Sequence, residues 1–310
     1  MKTKVVVNPY SANRSTAKQW ADKNGLLKEK IGRFDAELTS KPFDATEITQ
    51  NALKDGYGRI IAVGGDGTVN EVINGFFEND QPINPEAVLS IIMTGTGGDF
   101  RKTAGISKSI THAISQLAEG TVKKIDIGKL TCTTMDGNKK STYFDNVASL
   151  GMSGAVNQIV NHSAISRMTK KISGTVAFFI STLCAVFSYK NKQVKIEIDG
   201  KVYDNLTVKL VAIANGKYFG GGMKIAPHAI LDDGLFDIIV IENIGILKML
   251  LLSKDIYDGT QLGKEKVFSF RGKKIVATSD EEVLVEADGD LLGKLPAVFE
   301  IIPHAINLKS

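Results

Sequence analysis

The sequence predicts two units of different class: an N-terminal α/β domain on a parallel sheet and a C-terminal, mainly antiparallel β-domain. Three observations predict it. Through the first 128 residues short apolar runs alternate with helical patterns, as in a parallel sheet covered by helices on both faces. After Asp126 short strand-like runs follow one another, several ended by turn pairs such as Asp136-Gly137, Asp199-Gly200 and Asp288-Gly289. A chain of 310 residues that is 43% hydrophobic can also fill more than one core. The change of pattern places the boundary near residues 126–129, with domains at 1–128 and 129–302.

In order, Lys4 to Val7 reads as a strand and is followed by a helix up to Ile31. A strand near Ala36 to Thr39 precedes a helix from Phe43 to Lys54. Ile60 to Val63 has the continuous apolar character of a buried strand, and Gly67 to Phe77 is the next helix. Leu89 to Met93 is a strand, followed by a glycine-rich turn and a helix from Ser107 to Glu119. Beyond the boundary, strands are expected at Lys129–Thr134, Ser141–Ala148, Gln193–Asp199, Leu206–Ala214, Phe236–Ile241, Lys266–Phe270, Lys273–Thr278, Glu282–Ala287 and Ala297–Ile302. Two helical insertions fall near 154–189 and 245–261.

A net charge of +4 is compatible with anionic ligands or an acidic bilayer surface and too weak to argue for nucleic acid. Cys132 and Cys184 form no metal or redox spacing, so a reducing, cytoplasmic compartment is the expectation. Val5 to Val7 is too short for the core of a signal peptide, and the longest apolar helical stretch, Gly174 to Tyr189, is interrupted by Ser181, Thr182 and Ser188. A spanning helix needs ~20 mostly apolar residues, so no span is expected. His112, His162, His228 and His304 show no ligand spacing.

The strongest local signal is the run from Ile60 to Glu71, where a buried strand delivers Gly64, Gly65 and Gly67 and a helix then begins. Such a turn lets backbone N–H groups and the helix N-terminus close on a phosphate. The same pattern also serves a tight strand-to-helix turn with no ligand. Asp66 would repel a bare phosphate, and an intervening Mg²⁺ would remove that repulsion. A second turn, Thr94-Gly95-Thr96-Gly97-Gly98-Asp99, again follows an apolar strand, so both turns would face one crevice at the strand ends. Neither is followed by Gly-Lys-Ser/Thr, and neither has the spacing of a dinucleotide fingerprint.

Gly64-Gly65-Asp66-Gly67-Thr68 resembles the signature of the diacylglycerol kinase catalytic domain, shared with sphingosine and ceramide kinases. NAD kinases and phosphofructokinases have a related turn. Four further segments, in family order, favour the lipid kinases. Asn8-Pro9-Tyr10-Ser11-Ala12 resembles the family's NPxSG, with Ala12 in place of glycine. Thr96-Gly97-Gly98-Asp99-Phe100 resembles TGNDF, with Gly98 in place of asparagine. The run from Asn215 to Asp237 resembles the β-domain loop, and Ala287-Asp288-Gly289-Asp290 resembles the late DGE, with Asp290 in place of glutamate.

The resemblance implies a two-domain kinase of the NAD kinase/diacylglycerol kinase fold, with residues 303–310 returning to the first domain. It implies ATP at Asn8, Pro9, Tyr10, Ser11, Ala12, Thr39, Thr96 and the run Gly65, Asp66, Gly67, Thr68, Val69, Asn70 and Glu71. Asp66, Asp99 and Asp126 match acids around the phosphates, and Asp288 or Asp290 matches the base. Asp233, with the carbonyls of Ile230 and Leu235, matches a structural Mg²⁺ site. The implied reaction moves a phosphoryl group from ATP, with Mg²⁺, to a hydroxyl of a membrane-derived lipid such as diacylglycerol or phosphatidylglycerol. Its alternatives are a nucleotide kinase of the NAD kinase type and a catalytically silent binder, the latter motivated by Gly98 and Asp290. Peripheral, transient contact with the membrane surface would follow. Phe178, Phe179, Leu183 and Phe187 would insert while Lys170, Lys171, Lys190 and Lys192 meet anionic headgroups, or the segment would form a core helix with solvated lysines. No oligomeric state is fixed, and a homodimer is compatible with the sequence.

Overall fold

The computed structural model describes residues 1–95, 97–154 and 189–310. The N-terminal sheet contains β1 (Thr3–Val7), β2 (Asp35–Leu38), β3 (Arg59–Gly64) and β6 (Val88–Met93), in the order β2-β1-β3-β6, all parallel. The inner strands β1, β3 and β6 are mostly apolar because both faces are covered, whereas the edge strand β2 is exposed and carries Asp35 and Glu37. Val5, Val7, Ile61 and Val63 pack with Leu27 of α1 (Ser15–Ile31) and with Ile114 and Leu117 of α5 (Ile110–Glu119). On the other face Val6, Ile60 and Ala62 meet Ile48 of α2 (Asp44–Lys54) and Val69 and Val72 of α3 (Asp66–Asn74). Each such side chain, fully buried, contributes about 1.5–3 kcal/mol.

The helix expected to reach Phe77 ends at Asn74. Phe76 and Phe77 are buried, and Phe77 opens a small hairpin of β4 (Phe77–Glu78) and β5 (Gln81–Pro82). An apolar pair fits the helical period and a hairpin equally well, so periodicity did not separate them. A short helix absent from the expectation, α4 (Asp99–Ala104), follows the second glycine turn.

The remaining strands are β7 (Val122–Thr133), β8 (Lys139–Phe144), β9 (Val147–Gly151), β10 (Lys192–Ile198), β11 (Lys201–Ala214), β12 (Phe236–Glu242), β13 (Val267–Gly272), β14 (Lys274–Thr278), β15 (Leu284–Ala287) and β16 (Asp290–Lys309). Their mutual pairings are antiparallel, and their inward residues fill a core of Phe144, Ile196, Val211, Ile238, Ile275 and Phe299. The helix α6 (Ile246–Asp258) covers a further cluster through Met249, Leu252 and Ile256. The fold is thus an α/β unit with a parallel sheet joined to a mainly antiparallel β unit. The insertion expected at 154–189 lies outside the described residues apart from its ends.

Two long strands join the halves. β7 runs without interruption through residues 126–129, and β16 pairs antiparallel with it from Lys294 to Lys309 while Asn307–Lys309 pair parallel with β6. The expected strand Ala297–Ile302 is only the middle of β16. Its register shifts between Lys294 and Ala297 and between Ile302 and Ile306, bracketing Pro296 and Pro303. Proline donates no ladder hydrogen bond, and bulges accommodate it.

Candidate active site

Strand order reverses between β1 and β3, so their carboxyl ends open a crevice of the kind where open α/β sheets bind ligands. The two glycine turns meet there. A Cβ on Gly95 would lie 2.8 Å from Cα of Gly65, so only glycine permits this backbone approach. The first turn of α3 faces the crevice with no side chain capping its N–H groups, which leaves donors for an anion.

The loop after β1 is bound to both turns. Asn8 Nδ2 donates to Thr68 Oγ1 at 3.0 Å, while Thr16 Oγ1, 2.6 Å from Ser11 Oγ, lies 2.7 Å from Thr94 Oγ1. Pro9 and Tyr10 form the outer part of this loop, with the Tyr10 ring 58% exposed. Ala12 has φ +51°, the conformation for which the family pattern has glycine. Thr39 is buried at the end of β2, its N–H donating to Val7 O at 2.8 Å. Of the Gly65–Glu71 run, Val69 points into the core rather than the crevice. Thr96 lies outside the described residues.

The acids divide into open and closed ones. Asp66 accepts from Gly98 N–H through Oδ2 at 2.7 Å, but its buried Oδ1 has no hydrogen-bond partner. Burial foremost, then the charges of Asp99 and Asp288, push its carboxyl above the usual range. Gly98 itself, at φ +75°, orients Asp66 by its backbone and so supplies a donor despite lacking the amide side chain. Asp99 ties the halves together, accepting from Lys102 Nζ at 2.8 Å and from Gly221 N–H at 2.7 Å.

Asp288 accepts four N–H groups: Asn146 and Val147 on Oδ1 at 3.2 and 3.0 Å, Asn70 Nδ2 and Asp145 on Oδ2 at 2.9 and 3.0 Å. This explains why the expected strand Ser141–Ala148 is broken at Asp145-Asn146, whose N–H groups turn to Asp288 instead of a neighbouring strand. Asp290, two residues on, is exposed at the crevice. Desolvation and the Asp288 charge raise its carboxyl, and Lys140 partly offsets them. Glu71 lies between α3 and α2, with Oε2 accepting from Ala45 N–H at 3.2 Å.

Asp126 is not gathered with these acids. It is completely buried, and its two oxygens accept from His304 N–H at 2.7 Å and Gly234 N–H at 2.6 Å. Ile230, Asp233 and Leu235 do lie in one loop, but Asp233 is committed: Oδ1 accepts from Leu235 N–H at 3.1 Å and Oδ2 pairs with the Arg271 guanidinium. A cation at this loop would have to displace the Arg271 guanidinium from the Asp233 carboxylate. The orphaned Asp66 Oδ1 among like charges does fit a cation carried in by phosphates.

Two acids of this region were missed. Asp145 is buried beside Asp66 and Asp288; desolvation, then Asp288, push its carboxyl well above the usual range. Glu286 is buried against Ser149, and burial raises it to about 7. An acid inside an apolar strand run, as in Phe144-Asp145-Asn146-Val147 or Val285-Glu286-Ala287, was the available signal.

Residues 2–130 match the family model "Diacylglycerol kinase catalytic domain", and residues 146–310 match the "YegS C-terminal NAD kinase beta sandwich-like domain". A diacylglycerol kinase of Staphylococcus aureus (strain MRSA252) is 31% identical over 99% of this chain and 91% of its own length. The crystal structure of a diacylglycerol kinase from Bacillus anthracis str. Sterne superposes with TM-score 0.73 at 26% identity, covering 99% of this chain and 96% of that one. A yeast NADH kinase shares the fold alone, at 13% identity and TM-score 0.51 over 99% of this chain and 82% of that one. With both halves matched, and the relatives aligned nearly end to end, the chain belongs to the diacylglycerol kinase family of lipid kinases.

Proposed function

We propose that the chain transfers the γ-phosphoryl group of ATP, with Mg²⁺, to a hydroxyl of diacylglycerol or a related membrane lipid such as phosphatidylglycerol. Residues 1–128 with 303–310 bind ATP, and residues 129–302 receive the lipid. The observation that carries the reading is the unpartnered Asp66 Oδ1 beside the uncapped N-terminus of α3. One group attracts phosphate and the other requires a cation, so a metal–phosphate pair satisfies both.

Phosphoryl transfer is catalysed by positioning and charge neutralisation. The N–H groups of Gly65 to Thr68 hold the phosphates, and Asp66 holds Mg²⁺, which neutralises charge on the phosphate oxygens. Gly98 N–H fixes the Asp66 rotamer, while Asp99 locks the β unit's loop over the crevice. Asp290 takes the proton from the acceptor hydroxyl. Asp288 is a positioning residue, because all four of its in-plane lone-pair directions are taken by N–H donors. A raised carboxyl at Asp290 suits it as base, since a pKa closer to the working pH makes proton removal more favourable.

The lipid is drawn from a bilayer by transient surface contact on the cytoplasmic side. On α6, Leu251 and Tyr257 stand 66% and 53% exposed with Lys254 between them, an apolar and basic face suited to anionic lipid. Among the described residues no helix is long and apolar enough to cross a membrane.

The test is γ-phosphate transfer with Mg²⁺ to a panel of lipids in mixed micelles, with NAD as an aqueous acceptor. Label is expected in one lipid, with Asp290→Asn slowing transfer about 10²–10⁴-fold, the usual contribution of a general base. Label in NAD alone would overturn the lipid reading. Full activity of Asp290→Asn would remove it as the base.

A further inference from the structure

Phe43 stands out among the residues around the crevice. It has φ +64°, a region bulky side chains avoid, and its ring is nonetheless 67% exposed. It belongs to none of the hydrophobic clusters among the described residues. A residue that is strained and at the same time leaves an aromatic ring in water gains nothing for the fold by being phenylalanine. Strain of this kind persists where the surroundings impose it, and it marks functional positions.

The surroundings are visible. Two residues on, Ala45 N–H donates to Glu71 Oε2 at 3.2 Å, so the start of α2 just after Phe43 is held by α3. Glu71 lies five residues beyond Asp66 on that helix, about 7.5 Å along its axis. That separation is about the span of a ribose from the phosphates at the helix N-terminus. Lys140 Nζ lies 5.9 Å from the ring centroid, and its charge reaches Asp290. Phe43 lies between the end of β2 and the start of α2, at the carboxyl edge of the parallel sheet where the crevice opens.

We propose that Phe43 is the stacking platform for the purine ring of the nucleotide, with the Lys140 ammonium steadying the aromatic ring. The inference rests on the reading of Gly65–Glu71 as the nucleotide site and adds the residue that holds the base. A flat π-face suits any purine, so the platform supplies affinity for the base rather than discrimination between adenine and guanine.

Binding of a non-hydrolysable ATP analogue and of inorganic tripolyphosphate is measured by calorimetry on the full chain, wild type against Phe43→Gly and Phe43→Trp. Phe43→Gly is expected to weaken the analogue about tenfold, within the range for loss of a base-stacking aromatic. Tripolyphosphate affinity stays, because it has no base, and the melting temperature rises as glycine relieves the positive φ. Phe43→Trp binds the analogue at least as tightly as wild type. In the transfer assay KM for ATP rises and KM for lipid does not. Unchanged analogue affinity in Phe43→Gly, equal loss of both ligands, or a rise confined to KM for lipid would each overturn the proposal. Failure of the wild type to bind either ligand would instead remove the nucleotide-site reading beneath it.

Discussion

The turn at Gly64–Thr68 and the loop at Ile230–Leu235 are both rich in glycine and aspartate, and they treat their polar atoms in opposite ways. The first leaves groups unsatisfied: Asp66 Oδ1 has no partner and α3 has no cap. The second satisfies its acids internally. Asp126 closes on Gly234 and His304 from β7, and Arg271 from β13 holds Asp233. Buried polar groups in folded chains are nearly always paired, so an exception at the end of a parallel sheet points to a ligand. Acids alike in sequence thus split into ones that wait for a partner and ones that have found it.

The sharpest way to break this comparison is a pair of substitutions. Asp66→Asn is expected to slow phosphoryl transfer by about 100-fold or more, the scale for losing electrostatic stabilisation of the transferring group. The fold should hold or gain slightly, because burial already disfavours the Asp66 charge. Asp126→Ala should do the reverse, leaving two part-buried N–H donors without their partner at a cost of about 1–3 kcal/mol, read from the urea midpoint. If Asp66→Asn unfolds the chain and Asp126→Ala only slows it, the division between open and closed acids is wrong.

Glu286 sharpens the comparison on the acid side of the crevice. Its carboxyl is raised to about 7 from an ordinary 4.5, chiefly by burial. Between those values the unfolded chain has lost the proton that the folded chain keeps. Its contribution is therefore complete below about pH 4.5 and is lost as pH rises to about 7, on the order of 3 kcal/mol across the window. Glu286→Gln should flatten the fall of unfolding free energy between pH 4.5 and 7 relative to wild type. An identical slope in both proteins would show that Glu286 does not titrate there.

The smallest effect tests the loop after β1. Ala12 holds φ +51° where glycine would be unstrained, so Ala12→Gly should stabilise the chain by about 1 kcal/mol in thermal unfolding. A loss of stability would mean that the Ala12 methyl packs more usefully than its backbone suggests.

Much of the fold was legible because its elements have their own periodicity. The apolar run Ile60–Val63 and the run Leu89–Met93, apolar except for Ser90, announce strands buried on both faces, and glycines after each announce the turns. Where the reading slipped, the local signal was shared by two structures. Phe76-Phe77 suits a helix or a hairpin, and Tyr143 to Ala148 looks like one strand until Asp288, more than 140 residues away, takes the N–H groups at its centre. The residues that the structure brings to the crevice, Asn8, Gly64–Thr68, Asp99 and Asp288, could be picked out in the sequence by type and order, while the separation of Asp126 from them could not.

By itself the sequence determined the two fold classes, the glycine turns and the acidic residues available for chemistry, because these follow from local periodicity, backbone sterics and residue type. Only the tertiary structure decided which acids remain open. Whether Asp233 meets a metal or Arg271, whether Asp288 is a base or an anchor for four N–H groups, and where Phe43 stands relative to Glu71 depend on partners distant in sequence. Burial and hydrogen bonding act on whatever packing brings within 3 Å or so, and no spacing along the chain encodes that.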